Sequence, residues 1–167
     1  MEILEYDPVQ REAFRKGELA PTWATAYPAL FDQDDLRLSK SQPTYHYFEW
    51  LAAIRIFEDT GYLSLLEKFQ FRRHRRKNAI FVGLVPHAVV AIYEDRALGS
   101  RQTPDLLCYA PDLTDWYFCE VKADTDHVRA TQSTDFTLLE RMTGRPVRII
   151  HFIGTDRPSR GAEDDAA

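Results

Sequence analysis

Residues 103–122 read TPDLLCYAPDLTDWYFCEVK, and the rest of the chain can be arranged around this stretch. It holds two short apolar runs, 106–110 and 116–119, separated by residues 111–115. Proline and aspartate in that separator favour a turn, so the two runs are predicted to pair as a hairpin. The second run continues into Glu120, Val121 and Lys122, which puts two opposite charges into an otherwise apolar strand.

The charged end of the second strand is a candidate site. Because side chains alternate along a strand, Glu120 and Lys122 should share one face and Val121 should point to the other. In a hairpin, Asp105 would lie across from Glu120. A Glu-x-Lys pair alone is usually a solvated strand end. Here it follows four apolar residues and faces an aspartate, and burying these charges is costly unless they pair or hold a metal ion.

Length and composition indicate one ordinary globular domain. The chain has 167 residues, of which 44% are hydrophobic and 28% charged. No apolar stretch approaches the ~20 residues that span a bilayer, and the N-terminal residues lack a signal-peptide pattern. We therefore expect a cytoplasmic protein with no membrane partner. Cys108 and Cys119 are expected to be buried thiols, and no zinc-ligand spacing occurs.

The charge distribution is uneven. A net charge of −5 argues against a general, tight nucleic-acid binder. Acidic residues collect at 32–35 and 163–165, however, while a basic run lies within residues 71–81. Such a run is usually a solvated face or a helix end. The alternative is a set of charge-based contacts to phosphates. The basic run consists of Arg72, Arg73, Arg75, Arg76 and Lys77.

The first half of the chain is predicted as an extension followed by the start of the core. Residues 1–40 are read as an N-terminal extension packed on the core, with a short helix near 9–16 and then loops. A helix is expected over 45–57, started by residues 41–44 and stopped by Gly61. It is apolar nearly all round, as buried helices are. A second short helix is expected over 62–69.

The second half is predicted as strands followed by a helix and a last strand. Residues 79–84 and 88–93 are expected to be strands, and a loop over 97–103 leads to the hairpin. A helix is expected from about 127 to 143, capped by Thr125 or Asp126 and closed by Gly144. The last strand covers 147–153. Residues 41–154 would form one α/β (α+β) domain with a mixed central sheet flanked by helices, and 155–167 a disordered tail.

Two polar residues fall on apolar helix faces. Glu49 would cost several kcal/mol if buried without a partner. It would then need a cation, and a metal ion shared with Asp105 and Glu120 would serve. Alternatively, the Glu49 side chain reaches solvent or pairs with an arginine such as Arg55. Gln132 interrupts the apolar stripe of the later helix. It must therefore find hydrogen-bond partners, by capping a strand or by facing the site.

Pro104-Asp105 followed by Glu120-Val121-Lys122 resembles the signature of the PD-(D/E)xK nucleases, and the element order resembles their α-β-β-β-α-β core. Residues 104–153 resemble the VRR-NUC branch in particular, through Asp126, Gln132, Gly144 and a final apolar strand. Several motifs in order are more specific than one alone. Phe136 stands where many members have tyrosine, Ala123 where many have glycine, and Glu58 or Glu67 could replace Glu49 as the helix carboxylate.

The resemblance implies a metal-dependent nuclease, endo- or exonucleolytic, with DNA favoured over RNA. Asp105, Glu120 and the Val121 carbonyl would hold Mg²⁺ or Mn²⁺, and Glu49 would complete the site. Lys122 would orient water or stabilise developing charge. Gln132 would hold the lysine or the nucleic-acid backbone, and residues Arg72, Arg73, Arg75, Arg76 and Lys77 would contact phosphates.

Two other readings stay open on the sequence alone. The chain could be a nuclease-like fold that serves as a non-catalytic module for binding nucleic acid or protein, because a fold does not fix a function. It could also be a plain structural α+β domain in which Glu120 and Lys122 form a surface pair. The chain could form a homodimer, as nucleases of this kind often do, or work with a partner protein.

Overall fold

The computed structural model describes residues 1–42, 45–66, 68–94 and 102–155. Seven helices and five strands lie within these ranges. Their order is β1 (Glu2–Tyr6), α1 (Pro8–Arg15), α2 (Leu19–Ala26), α3 (Gln33–Ser41), α4 (Tyr47–Thr60), β2 (Leu63–Leu66), α5 (Arg75–Leu84), α6 (His87–Glu94), β3 (Leu106–Tyr109), β4 (Trp116–Ala123), α7 (Ala130–Thr143) and β5 (Arg148–Gly154).

The five strands form one mixed sheet in the order β1-β5-β4-β3-β2. Strands β1, β5 and β4 run parallel to one another, whereas β3 is antiparallel to both β4 and β2. The predicted hairpin is formed by β3 and β4, with Leu106 opposite Cys119 and Tyr109 opposite Trp116. The predicted mixed sheet with flanking helices is therefore confirmed. Across the part of the chain that the structure describes, no helix is long and apolar enough to cross a membrane.

Alternate side chains of the hairpin enter two separate cores, as the period of a strand requires. On one face, Cys108, Cys119 and Val121 join the buried side chains of α4 and of the N-terminal helices. On the other face, Leu107 and Phe118 join α5, α6 and α7. Both cysteines are buried free thiols, as predicted. Burial raises the pKa of Cys108 to about 12.

Helix α4 is the buried helix that the apolar run predicted. It begins at Tyr47 and ends at Thr60, and Gly61 terminates it in the left-handed conformation with φ 74°. Glycine adopts this conformation without steric cost, and the predicted end of the helix at Gly61 is confirmed. The predicted start overlaps Ser41, which ends α3, and residues 43 and 44, which lie outside the described ranges.

The predicted strands over 79–84 and 88–93 are wrong, because both segments belong to helices α5 and α6. Short apolar runs do not distinguish a strand from a buried helix. In α5 the buried positions are Lys77 and Phe81, four residues apart, which is the helical spacing. The sequence pattern did not identify this helix because its first turn is basic and one of its two buried residues is a lysine.

The predicted short helix over 62–69 is also wrong. Residues Leu63–Leu66 form strand β2, which pairs with β3 along its whole length. Three of its four residues are buried, so the strand lacks the polar alternation that would have identified it.

The first 40 residues are more ordered than predicted. Helix α1 confirms the expected short helix, and its first turn is capped by Asp7, which accepts from the Val9 N–H at 2.8 Å. The expected loops after it are wrong, since α2 and α3 follow. Strand β1 adds an edge to the sheet. It was missed because only Tyr6 is buried among its five residues.

The end of the chain follows its prediction closely. Helix α7 ends before Gly144, whose φ is 66°, and β5 covers the expected last strand. The predicted cap at Thr125 or Asp126 is wrong, because α7 begins later and Arg129 occupies the N-cap position. Residues 156–167 of the expected tail and residues 97–101 of the expected loop lie outside the described residues.

A buried ion pair joins three elements of this fold. Lys77 of α5 is 1% exposed and Asp35 of α3 is 2% exposed. The Lys77 ammonium donates to the Asp35 carboxylate and, at 2.9 Å, to the Leu66 carbonyl at the end of β2. Two buried charges that satisfy each other and a backbone carbonyl lock the relative positions of these elements.

We expect Asp35→Ala to lower the free energy of unfolding by about 3–5 kcal/mol, because it leaves the Lys77 charge buried without its partner. The matched control is Asp34→Ala, which removes a more exposed carboxylate from its contacts with Arg37 and His74 and should cost within about 1 kcal/mol. Urea unfolding followed by circular dichroism measures both. Equal losses in the two variants would contradict this assignment.

Candidate active site

The hairpin brings Asp105 next to the charged end of β4. Asp105 directly precedes β3, and the register that pairs Leu106 with Cys119 sets it beside Glu120 and Val121. The Val121 N–H donates to Asp105 Oδ2 at 2.8 Å. A backbone donor therefore fixes the position of this half-buried carboxylate at the edge of the hairpin.

Glu120 and Lys122 form a buried pair on one face of β4. The Lys122 ammonium lies 2.7 Å from Glu120 Oε1. Glu120 is 1% exposed and Lys122 is 5% exposed, so the interpretation of these residues as a solvated surface pair is wrong. Asp126, which is half-exposed, adds a longer contact at 3.4 Å from the Lys122 ammonium.

Gln132 connects helix α7 to the same carboxylate. Its side-chain amide donates to Glu120 Oε1 at 2.6 Å, while its carbonyl oxygen accepts from the Arg129 N–H at 3.1 Å. The glutamine therefore faces the site, one of the two possibilities raised by its place on an apolar stripe. Its partner is Glu120 and not the lysine, one of the two partners that the resemblance implied. The other, the nucleic-acid backbone, stays a prediction.

The two oxygens of Glu120 have different surroundings. Oε1 receives both the Lys122 ammonium and the Gln132 amide. Oε2 is buried and has no hydrogen-bond partner among the described residues. Buried polar atoms are nearly always paired, and an unpaired one costs about 1–3 kcal/mol. A carboxylate oxygen in this state is suited to a cation.

Negative charge dominates the cluster. Burial raises the pKa of Asp105 well above its usual value, and the charges of Glu120 and Glu49 raise it further. The hydrogen bond from the Val121 N–H and the charge of Lys122 act in the opposite direction and lower this pKa. Burial would lower the pKa of Lys122, but the hydrogen bond and charge of Glu120, with smaller contributions from other carboxylates, raise it overall. One ammonium thus faces several carboxylates.

Glu49 is a helix carboxylate whose charge acts on this cluster. It lies in the first turn of α4, is half-buried, and lines a cleft of about 320 Å³ together with Val121 and Lys122. Glu58 instead accepts from the Tyr27 hydroxyl at 2.6 Å and pairs with Arg55 at 3.6 Å. Glu67, the third candidate, lies outside the described residues.

The donor set is small. Within the described ranges, no group of three or more His, Cys, Asp or Glu side chains is arranged to hold a metal ion. Asp105 and Glu120 provide two carboxylates, and Val121 provides a backbone carbonyl between Glu120 and Lys122. Mg²⁺ is commonly held by one or two carboxylates with its remaining positions left to water or substrate phosphates, so oxygen donors of this number fit such an ion.

Most of the basic run is already engaged by acidic residues. Lys77 is buried on Asp35, so it cannot reach a phosphate from its position. Arg76 pairs with Asp32 at 3.1 Å, and Arg72 donates to Glu94 at 2.9 Å. Arg73 and Arg75 are exposed, and the Arg73 guanidinium lies 5.4 Å from the centre of the Phe71 ring.

One group of residues near the site was not predicted. The Tyr6 hydroxyl of β1 contacts both carboxylate oxygens of Asp124, at 2.9 and 3.1 Å, and the Arg11 guanidinium of α1 lies 3.4 Å from the same carboxylate. Asp124 follows β4 directly and has φ 51°. These contacts hold the turn after Lys122 against the N-terminal elements. No local signal predicts them, because the partners are more than a hundred residues apart.

Comparisons with protein-family models, with curated proteins and with solved structures found no match to this chain.

We expect Asp105→Asn to raise the melting temperature of the metal-free protein by about 2–4 °C, the shift that ~1 kcal/mol gives in a domain of this size. Asparagine keeps an acceptor for the Val121 N–H and removes a charge that Glu120 and Glu49 repel. Differential scanning calorimetry in EDTA measures the change. The exposed Asp59→Asn on α4 is the control and should leave the melting temperature unchanged. A lower melting temperature for Asp105→Asn would contradict the proposed repulsion.

Proposed function

We propose that this protein is a metal-dependent nuclease that hydrolyses phosphodiester bonds of nucleic acid, with DNA favoured over RNA on the resemblance noted above. The observation that carries the proposal is the state of Glu120. Its carboxylate is buried beside Asp105, one oxygen is held by Lys122 and Gln132, and the other has no hydrogen-bond partner among the described residues.

The topology around this cluster supports the proposal. Helix α4, strands β2, β3 and β4, helix α7 and strand β5 follow one another in the order α-β-β-β-α-β, which is the order of the PD-(D/E)xK core. On this assignment, α5 and α6 are an insertion after the first core strand, and β1 to α3 precede the core. Asp105 then begins the second core strand and Glu120 lies in the third, as in the nuclease signature.

The metal ion in this proposal is Mg²⁺ or Mn²⁺, held by Asp105, Glu120 and the Val121 carbonyl, with Glu49 nearby. When bound, such an ion lowers the pKa of a coordinated water and offsets charge on the phosphate. The protein's own contribution is to hold these oxygens in place. The Val121 N–H fixes Asp105, and Lys122 and Gln132 fix Glu120 through its other oxygen.

Lys122 acts in this proposal as a fixed positive charge. Its pKa is raised by the hydrogen bond to Glu120 despite burial, so the ammonium keeps its proton near neutral pH. A protonated lysine cannot serve as a general base. It can donate to an attacking water or to a phosphate oxygen, where preorganised donors stabilise developing negative charge.

Cleavage of plasmid DNA, branched DNA and RNA in Mg²⁺ or Mn²⁺ tests the proposal directly. We expect Asp105→Asn, Glu120→Gln and Lys122→Gln each to reduce the rate by about 100-fold or more, the cost of losing one preorganised charge-stabilising group. EDTA should abolish cleavage. Circular dichroism verifies that each variant is folded.

The matched control for Lys122→Gln is Lys40→Gln, which makes the same chemical change at an exposed residue of α3 and should leave the rate unchanged. Absence of cleavage on every substrate, together with absence of Mn²⁺ binding by calorimetry, would contradict the proposal. The non-catalytic binding module would then be the better account.

The helix carboxylate can be assigned with a second pair of variants. We expect Glu49→Gln to reduce the cleavage rate at least about tenfold, because Glu49 lines the cleft of Lys122 and its charge acts on Asp105. Glu58→Gln makes the same change on the same helix, where the carboxylate faces Tyr27 and Arg55, and should have no effect. The reverse ranking in a steady-state cleavage assay would assign the role to Glu58.

A further inference from the structure

We propose that the site takes nucleic acid as an unpaired strand, with bases that stack on Tyr45 on one side of the carboxylates and on Phe71 on the other. This inference rests on the proposed nuclease function and adds the form of the substrate to it. Four observations carry it: an exposed ring in each of two clefts, the point at which the clefts meet, and the charge of the surrounding surface.

Tyr45 borders the first cleft. The cleft has a volume of about 320 Å³, and Lys122, Val121 and Arg11 are among its lining residues. Tyr45 is 67% exposed. The Arg11 guanidinium lies 4.9 Å from the centre of the Phe48 ring on the same lining. The cleft therefore offers an open aromatic face, whereas its two cations, Arg11 and Lys122, are already paired with carboxylates.

Phe71 borders the second cleft, which has a volume of about 300 Å³ and is lined by Asp105, Gln102 and Lys68 among others. Phe71 is 45% exposed. The Arg73 guanidinium lies 5.4 Å from the centre of its ring, where it can hold the ring in position and contact a phosphate. This cleft therefore also offers an exposed aromatic ring, with Lys68 on its lining.

The two clefts meet at the candidate metal ligands. Asp105 lines the second cleft and Val121 lines the first, and a hydrogen bond of 2.8 Å joins these two residues. A strand that occupied both clefts would therefore cross the carboxylates between its two stacked bases.

The two rings are distinctive within the described part of the chain. Single exposed apolar side chains are normal on a protein surface and carry no argument by themselves. Among the large apolar side chains that are exposed there, however, Tyr45 and Phe71 are the two aromatic ones, and both line a cleft that borders the site.

The charge of the surface favours stacking over charge-based binding. The net charge is −5, and Lys77, Arg76 and Arg72 of the basic run are paired with carboxylates. A duplex is held mainly through its phosphates by free cations, and its base faces are hidden. Stacking on aromatic rings needs exposed base faces, which an unpaired strand provides and a duplex does not.

Fluorescence anisotropy with labelled oligothymidine and with a blunt duplex of the same length tests the inference. The measurement uses the full chain in Ca²⁺, so that binding is read without cleavage. We expect the wild type to bind the single strand at least about tenfold more tightly than the duplex. Tyr45→Ala and Phe71→Ala should each weaken single-strand binding about fivefold or more, while leaving duplex binding unchanged.

Tyr45→Phe keeps the ring and should bind as the wild type does. Ile153→Ala, which shortens an exposed side chain of β5 away from both clefts, is the control for loss of apolar surface. Equal binding of single strand and duplex, or unchanged single-strand binding in both alanine variants, would overturn the inference while metal-dependent cleavage could still establish the nuclease. No binding to either oligonucleotide and no cleavage would overturn both.

Discussion

The site depends on the burial of the Glu120 carboxylate in the middle of the sheet. Strand β4 lies between β3 and β5, and Glu120, on its α7-facing side, is only 1% exposed. A buried carboxylate needs an opposite charge or hydrogen bonds to compensate for its lost hydration. Lys122 and Gln132 provide this compensation at one oxygen of Glu120. The compensation is incomplete, because the other oxygen has no hydrogen-bond partner in the described structure and Asp105 adds further negative charge. The metal ion of the proposed function would offset this imbalance.

Several distant elements serve this one arrangement. The first turn of α7 is fixed by Gln132, whose two ends contact Glu120 and the Arg129 backbone. The turn after β4 is held by Tyr6 and Arg11 from the N-terminal elements. The sheet therefore supplies the position of the carboxylates, while helices from both ends of the chain supply the contacts that orient them.

The sequence predicted the parts of the fold that have strong local signals. The hairpin was recognisable because turn residues separate two apolar runs, and α4 because its apolar run is long and Gly61 follows it. Helices α5 and α6 and strand β2 were misassigned because their apolar runs are too short to show a period. Strand β1 carried no signal, since four of its five residues are at least partly exposed.

The sequence predicted which residues form the candidate site, but not all of the contacts between them. The period of a strand placed Glu120 and Lys122 together, and hairpin pairing placed Asp105 beside them. The partner of Gln132 and the unpartnered oxygen of Glu120 depend on tertiary geometry that no local pattern contains. The same holds for the basic run, because the acidic residues 32–35 that neutralise much of it are about 40 residues away in the chain.

Anomalous diffraction from crystals grown with Mn²⁺ tests the central claim most directly, because it locates the ion without reference to activity. The account predicts a manganese peak within coordination distance, about 2.0–2.3 Å, of oxygens from both Asp105 and Glu120. No peak at these carboxylates at millimolar Mn²⁺, with the second oxygen of Glu120 satisfied by a protein donor or a water instead, would contradict it.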